Sequence, residues 1–392
     1  MNKAQVSIRK THAQNYQKGL ARDLQKTLDD IGALEYLRSK GNRILIKPNI
    51  ASPEAIYSTS PAVLFVLTKI LVDEGFSVSI GENPSIPTDA DRAYRDYGLY
   101  EIAEEAGAEV LDFRRGPHVE VDVPGGKLFP KITVSKFVLD ADAVISLATM
   151  KSANIVTATL AVKNMKGCIP SHYKRKFHCE GLNDGICDLM KVVKPDLALI
   201  DCTFGKDMTS KSCFPVGLLI ASTDVLAADS ICARIMGYNP YEIEHLRQVS
   251  EAGLGKLDLS DIEVRGEKLE DHIARYPFSK PMDPIKIAEQ SGGNLKIIQG
   301  NPCSVCLNEL GTVLHLFQHR IAELDDVTIL VGPNAVADTV NSDDSVVIGF
   351  GNCVSQGKCT HHIAGCPPTD YRAAETGSLI DVFHTILGDK EA

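Results

Sequence analysis

The chain has 392 residues, of which 44% are hydrophobic and 23% charged, with no Trp and eleven Cys. This is the composition of a soluble globular chain of two or three domains. A formal net charge of −10 offers no global positive surface, which excludes a general nucleic-acid binder. No run approaches the roughly 20 apolar residues that cross a bilayer. The polar N-terminus has no apolar signal core, so a cytoplasmic protein without a membrane partner is expected.

In chain order, Val6–Ile8 predicts a strand. A helical stretch follows from about Gln14 to Lys40, broken near Gly32. Arg43–Lys47 (RILIK) is a short buried-type strand stopped by Pro48. Ser60 before Pro61 marks a helix start, because Pro is favourable at the first helical position. Phe76–Ile80 is the next strand, ending in Gly81. The alternation continues with a helix to Ala106 and strands near Glu109–Leu111, Ala143–Leu147 and Leu197–Asp201. A helix at Val225–Met236 closes this part. Pro124-Gly125-Gly126 predicts an inserted hairpin. Continuous apolar strands alternating with helices predict an α/β fold, a mostly parallel sheet covered by helices.

Residues 277–293 hold Pro277, Pro281, Pro284, Gly292 and Gly293, a boundary by composition. The pattern then restarts: strand Leu295–Ile298, a helix to about Arg320, strands Val327–Val331 and Ser345–Ile348, and a helix near Tyr371–Leu387. The expected organisation is a large α/β domain at 1–280 and a smaller cysteine-rich α/β domain at 290–392.

Six cysteines are spread over residues 1–302, and five fall between Cys303 and Cys366. In a reducing compartment such density argues for metal or thiol chemistry over disulfides. Cys303-Ser-Val-Cys306 lets two sulfurs address one centre. Cys353, Cys359 and Cys366 share one Gly-rich loop. Both segments follow predicted strand ends, which lie on one edge of a parallel sheet. Four thiolates hold a 4Fe-4S cluster, and Pro after the last ligand is common in such loops. Cys303, Cys306, Cys353 and Cys366 are the favoured ligands, with Cys359 as a supporting thiol or alternative ligand. The competing readings are a structural zinc, a dithiol at Cys303 and Cys306, and inert buried thiols. His361 and His362 could replace a thiolate, although on a polar loop they read more simply as solvated. Upstream, Cys202 and Cys232 read as core, and Cys168 and Cys179 as flanking a basic loop.

Pro48 exposes Lys47 and Asn49 at a strand's carboxyl end, where open α/β sheets bind ligands. Lys151 follows the strand AVISL in the same way. Lys163, Asn164 and Lys166 lie on one turn, before a basic stretch that ends at His178. These lysines predict a site for a carboxylate or phosphate, weighed against solvated loops. His178 is a candidate acid or base. Asp201 ends a strand and could hold a cation or orient a lysine; Asp224 reads as a helix N-cap. No phosphate-binding Gly-x-x-x-x-Gly-Lys-Ser/Thr, dinucleotide fingerprint or nucleophile elbow is present.

In order, Lys47-Pro48-Asn49, Thr59-Ser60-Pro61, Lys163-Asn164-Met165-Lys166-Gly167, His178, Asp201 and the Ser222–Asp229 segment form a series of motifs. Over about residues 40–240 the chain resembles the family known as domain of unknown function 362. The resemblance implies association with an iron–sulfur module, frequently a ferredoxin-like one. Two departures stand out. Lys151-Ser152-Ala153 replaces the Lys-Thr-His of many relatives. The segment from Phe204-Gly205 lacks their Gly-x-Gly-Pro.

The expectation is an iron–sulfur oxidoreductase suited to anaerobic metabolism, with reduction as the reaction class. Lys47, Lys163 and His178 would be catalytic. Asn49, Lys151, Asn164, Lys166 and Asp201 would bind a small anionic substrate or cofactor. An electron-transfer protein and further copies of the chain are the other partners considered. The alternatives are a zinc- or cluster-stabilised carrier without turnover, and a proton-transfer enzyme with no electron flow.

Overall fold

In the computed structural model the described residues are 3–11, 18–51, 57–85, 88–281, 283–292, 295–336, 345–355, 359–368 and 378–388. The large sheet is built from β1 (Ala4–Lys10), β2 (Arg43–Lys47), β3 (Ser77–Glu82), β4 (Glu109–Asp112), β7 (Ala143–Ala153), β8 (Thr157–Thr159), β9 (Leu197–Asp207), β10 (Ser212–Ser222) and β11 (Ile262–Gly266). The intervening β5 (His118–Asp122) and β6 (Lys131–Ser135) form the expected antiparallel hairpin. The order is β11-β1-β10-β9-β7-β2-β3-β4, with β8 on β7. The segment β9-β7-β2-β3-β4 is parallel, whereas β10 runs antiparallel to β9 and β1.

The apolar run of β2 has a direct structural cause. Ile44 and Ile46 pack into one core and Leu45 into the core on the opposite face. A strand covered on both sides needs no polar alternation. The sheet is therefore mostly parallel and clothed by helices, as the sequence predicts.

A second, smaller sheet is parallel throughout. It comprises β12 (Leu295–Gln299), β13 (Val327–Val331), β14 (Val346–Phe350) and β15 (His361–Ile363), paired in that order. Its core includes Ile287 and Ala288, so the helix Pro284–Gln290, which lies between the two expected domain ranges, packs with the second unit.

Several boundaries differ from expectation, each for a physical reason. β3 continues past Ile80 through Gly81 to Glu82. A Cβ on Gly81 would lie 2.2 Å from the Phe113 ring, so this glycine permits close packing and does not end the strand. β9 runs on through Phe204, Gly205, Lys206 and Asp207 into a hairpin with β10. Polar residues hide this continuation in the sequence, but they are satisfied inside: Asp207 accepts from Ser152 at 2.6 Å and from Ser210 at 2.7 Å. The basic stretch after Pro170 is a helix, Ser171–Glu180, and not a loop. Cys168 beside it is buried and Cys179 exposed. The final helix covers Leu379–Ile386, and 369–377 lie outside the described residues. Among the described residues no helix is long and apolar enough to cross a membrane.

Candidate functional site

Lys47 stands at the carboxyl end of β2, only 1% exposed. An ammonium so placed needs a counter-charge. β3 supplies it: Glu82 accepts from Lys47 Nζ at 2.8 Å. The same ammonium donates to Pro48 O at 2.6 Å and Asn164 Oδ1 at 3.1 Å. The Glu82 carboxylate also accepts from the backbone N of Ile50 at 3.0 Å and of Asn83 at 2.8 Å. Gly167 lies against this pair. A Cβ there would fall 2.2 Å from Lys47 Cε and 2.5 Å from Glu82 Oε1, so a side chain would collide with both partners. Asn164, on the same turn, donates to Lys47 O at 2.9 Å and Ser146 Oγ at 3.1 Å. Asp229 anchors the start of the turn, accepting from the N–H groups of Ala161 and Val162 at 2.8 Å each.

Around this hub lies a cavity of about 1190 Å³ whose wall includes Lys47, Lys151, Lys163, Lys166 and Lys174. Lys151 donates to Asn49 Oδ1 and Tyr57 O, both at 3.2 Å. Lys174 donates to Asn83 O and, at 2.8 Å, to Pro84 O. Behind Lys151, Lys206 donates to Ser58 O and, at 2.8 Å, to Thr149 Oγ1. These acceptors are neutral. Burial, followed by the charges of Lys206 and Lys163, pushes Lys151 down to about 7. Burial is also the main cause that brings Lys174 to about 7 and Lys163 to about 8.

The opposite wall comes from the second sheet. Cys303 caps the helix Ser304–Leu316, Cys306 lies in its first turn, Cys353 follows β14 and Cys366 follows β15. All four line the cavity, together with Cys179 from the large domain. The Cys303 thiol is pushed down to about 6, first by the hydrogen bond from Cys306 and then by the backbone N–H groups of Cys306 and Val305. A helix N-terminus favours a thiolate in this way. A Cβ at Gly351 would sit 3.6 Å from the Cys306 sulfur, so backbone closely approaches the thiols. Among the described residues, no three His, Cys, Asp or Glu side chains form a ready-made site for one metal ion.

Two residues of the large domain, His178 and Asn154, make polar contacts across to the other wall. Lys166 hydrogen-bonds His178 Nε2, and His178 Nδ1 lies 2.7 Å from Ser304 Oγ. Burial, then Lys166, Lys163 and Lys174, drive His178 down to about 2, so its ring is neutral at neutral pH. With Nε2 accepting from Lys166, Nδ1 carries the proton and donates to Ser304. Asn154 donates to Thr312 Oγ1 at 2.7 Å and to Asn308 O at 3.3 Å.

The fold thus brings Lys47, Asn49, Lys151, Lys163, Asn164, Lys166 and His178 to one cavity with Cys303, Cys306, Cys353 and Cys366. Two expected site residues lie elsewhere. Asp201 accepts from the backbone N of Ser60 at 2.7 Å and from Thr203 Oγ1 at 2.6 Å, which braces the helix Pro61–Asp73. Cys359 turns away to pack with Val354 and Leu330 and donates to Ser355 O at 3.5 Å. His362 Nε2 lies 3.2 Å from Gly351 O, and neither His361 nor His362 lines the cavity.

Residues 44–234 match the profile of the family described as domain of unknown function (DUF362). The chain carries a DUF362 domain. The thylakoid-associated protein sll1697 of Synechocystis sp. is 27% identical over 261 residues, 63% of this chain and 80% of that protein. The lactate racemase apoprotein from Thermoanaerobacterium thermosaccharolyticum aligns over 99% of this chain and 91% of its own, with TM-score 0.41 and 11% identity. Within the DUF362 domain, four site residues escape the sequence reading: Glu82, Lys174, Cys179 and Lys206. Lys174 and His178 are four apart, a helical spacing that was available as a signal. The role of Glu82 depended on β3 continuing through Gly81.

Replacing Glu82 by Gln leaves the Lys47 ammonium buried without a counter-charge. Chemical denaturation should show a loss of about 3–5 kcal/mol, partly restored by Lys47→Met in the same chain. Lys151 gives a pH signature. Its folded value lies near 7 and the unfolded one near the ordinary lysine value, so between them the unfolded chain binds the extra proton. Raising the pH above 7 should therefore stabilise the wild type relative to Lys151→Met, by up to about 1.4 kcal/mol per pH unit. Parallel melts of the two proteins across that range check the sign.

Proposed function

We propose that this protein binds a small anionic molecule in the lysine-lined cavity and carries out redox chemistry on it with an iron–sulfur cluster held by the opposite wall. The observation that supports the reading is that thiols of the small sheet and lysines of the large sheet face one cavity. The donor chemistry fits such a group: four cysteines, one already inclined to the thiolate, with glycine backbone close to sulfur. Cys303, Cys306, Cys353 and Cys366 would hold a cluster, which supplies a reversible store for an electron.

The chain's own residues have separable tasks. Lys163 has no hydrogen-bond or ion-pair partner among the described residues, so its ammonium is available to an incoming anion. Lys151 and Asn49 orient the other side of that anion. With a value near 7, Lys151 is also matched to taking or giving a proton at neutral pH, better than His178, which stays neutral. Lys47 is held by Glu82 and acts as a scaffold. Electrons would come from a separate carrier protein.

A second reading rests on Lys151 alone: proton transfer on a carbon acid with no electron flow. Anaerobic purification with iron and sulfide analysis and electron paramagnetic resonance separates the two. Under the redox reading the protein is brown, carries iron and inorganic sulfide, and loses both in Cys303→Ala and Cys353→Ala but not in Cys359→Ala. A colourless, folded protein without iron, or one with stoichiometric zinc, defeats it.

A further inference from the structure

Six lysines line the cavity: Lys47, Lys151, Lys163, Lys166 and Lys174, which are buried or half-buried, and Lys211, which is exposed. Three carboxylates share the lining: Asp89 is exposed, Glu309 lies on the thiol-bearing helix, and Glu82, the buried one, is paired with Lys47. Lys151, Lys163, Lys166 and Lys174 have no carboxylate partner among the described residues; their acceptors are carbonyls, an amide oxygen and an imidazole. A buried charge met only by neutral dipoles is costly, and like charges close together add to the cost. A ligand with one negative charge would leave most of this excess uncompensated.

The amines are also extended in space. Lys163 feels no large neighbouring charge of its own, yet it acts on Lys151 at one end and on Lys166 toward the other. Lys174 acts on Lys166 and is tied to Asn83 and Pro84 beyond β3. Lys151 is tied to Asn49 beyond β2. The ends of the row therefore flank the Lys47–Glu82 pair. A volume of about 1190 Å³ far exceeds what one phosphate or acetate fills.

From this geometry we infer that the ligand of this cavity is a polyanion with at least two separated anionic groups, one met by Lys151 and Lys163 and the other by Lys166 and Lys174. This deepens the proposed function and rests on its anion-binding half, not on the cluster. The groups are phosphates or carboxylates, since an ammonium bonds either as a point charge.

The test is titration calorimetry of the full-length protein at pH 7 and fixed ionic strength. The probes are pyrophosphate and succinate, with inorganic phosphate and acetate as their single-group counterparts. At least one two-group probe should bind about ten-fold or more tightly than its counterpart. Pyrophosphate as the tighter probe assigns phosphate groups, and succinate assigns carboxylates. Lys151→Met and Lys174→Met, one at each end of the row, should each erase that advantage while binding of the single-group probe persists. Thermal melts establish that each variant folds; should either fail, the comparison among probes on the wild type still decides. If single-group probes bind as tightly as two-group ones, the polyanion inference falls and the anion pocket stands. If none of the four binds, the pocket reading falls with it. Iron content, measured separately, bears on neither result.

Discussion

The site depends on one buried ion pair. Lys47 and Glu82 end two adjacent parallel strands, β2 and β3, and meet where neither is hydrated. Each partner is also tied to neighbouring backbone, so the pair fixes the paths of both chains as they leave the sheet. The Lys163–Gly167 turn lies directly on it through Gly167 and is clasped by Asn164. A neutral, apolar pair could fill the same volume. It could not accept the backbone N–H groups that Glu82 accepts, nor donate to the acceptors that Lys47 satisfies.

With that hub in place, the remaining lysines face a cavity that their own charges make unfavourable. This is the reverse of how a core is normally built, where buried polar groups are mutually satisfied. Burial holds Lys151, Lys163 and Lys174 well below their ordinary basicity, and the charges of Lys206 and Lys163 add to the shift of Lys151. Perturbation of this kind is characteristic of sites that meet a ligand or move a proton. The lysines belong to strand ends and one turn of the DUF362 domain, whereas the thiols opposite them belong to a second sheet with its own core.

Much of this was legible in the sequence, and the rest had physical reasons to be hidden. RILIK followed by Pro predicted β2 to the residue because a two-face-buried strand must be continuously apolar. The lysines at strand ends and the cysteines of the small domain were visible by position alone. The sequence left Asp201 open between a ligand-binding and a structural role, because a strand-ending carboxylate can equally well satisfy a neighbouring helix, and here it accepts from Ser60. Lys206 and Asp207 broke an apolar run, and only the inward hydrogen bonds of β9 show that it continues. Cys359 shares a loop with two cavity-facing cysteines, and spacing does not say which way each side chain turns.

The path from Lys166 through the imidazole of His178 to Ser304 begins on the lysine row and ends one residue from Cys303. It is the place where the two halves of the cavity are in polar contact beside the thiols. A rearrangement of the sulfur-bearing helix would be felt by an amine on the far wall as a change in the partner its lone pair or proton can find. A neutral ring thus ties the start of the sulfur-bearing helix to the lysine row, and Asn154 ties down the same helix further along.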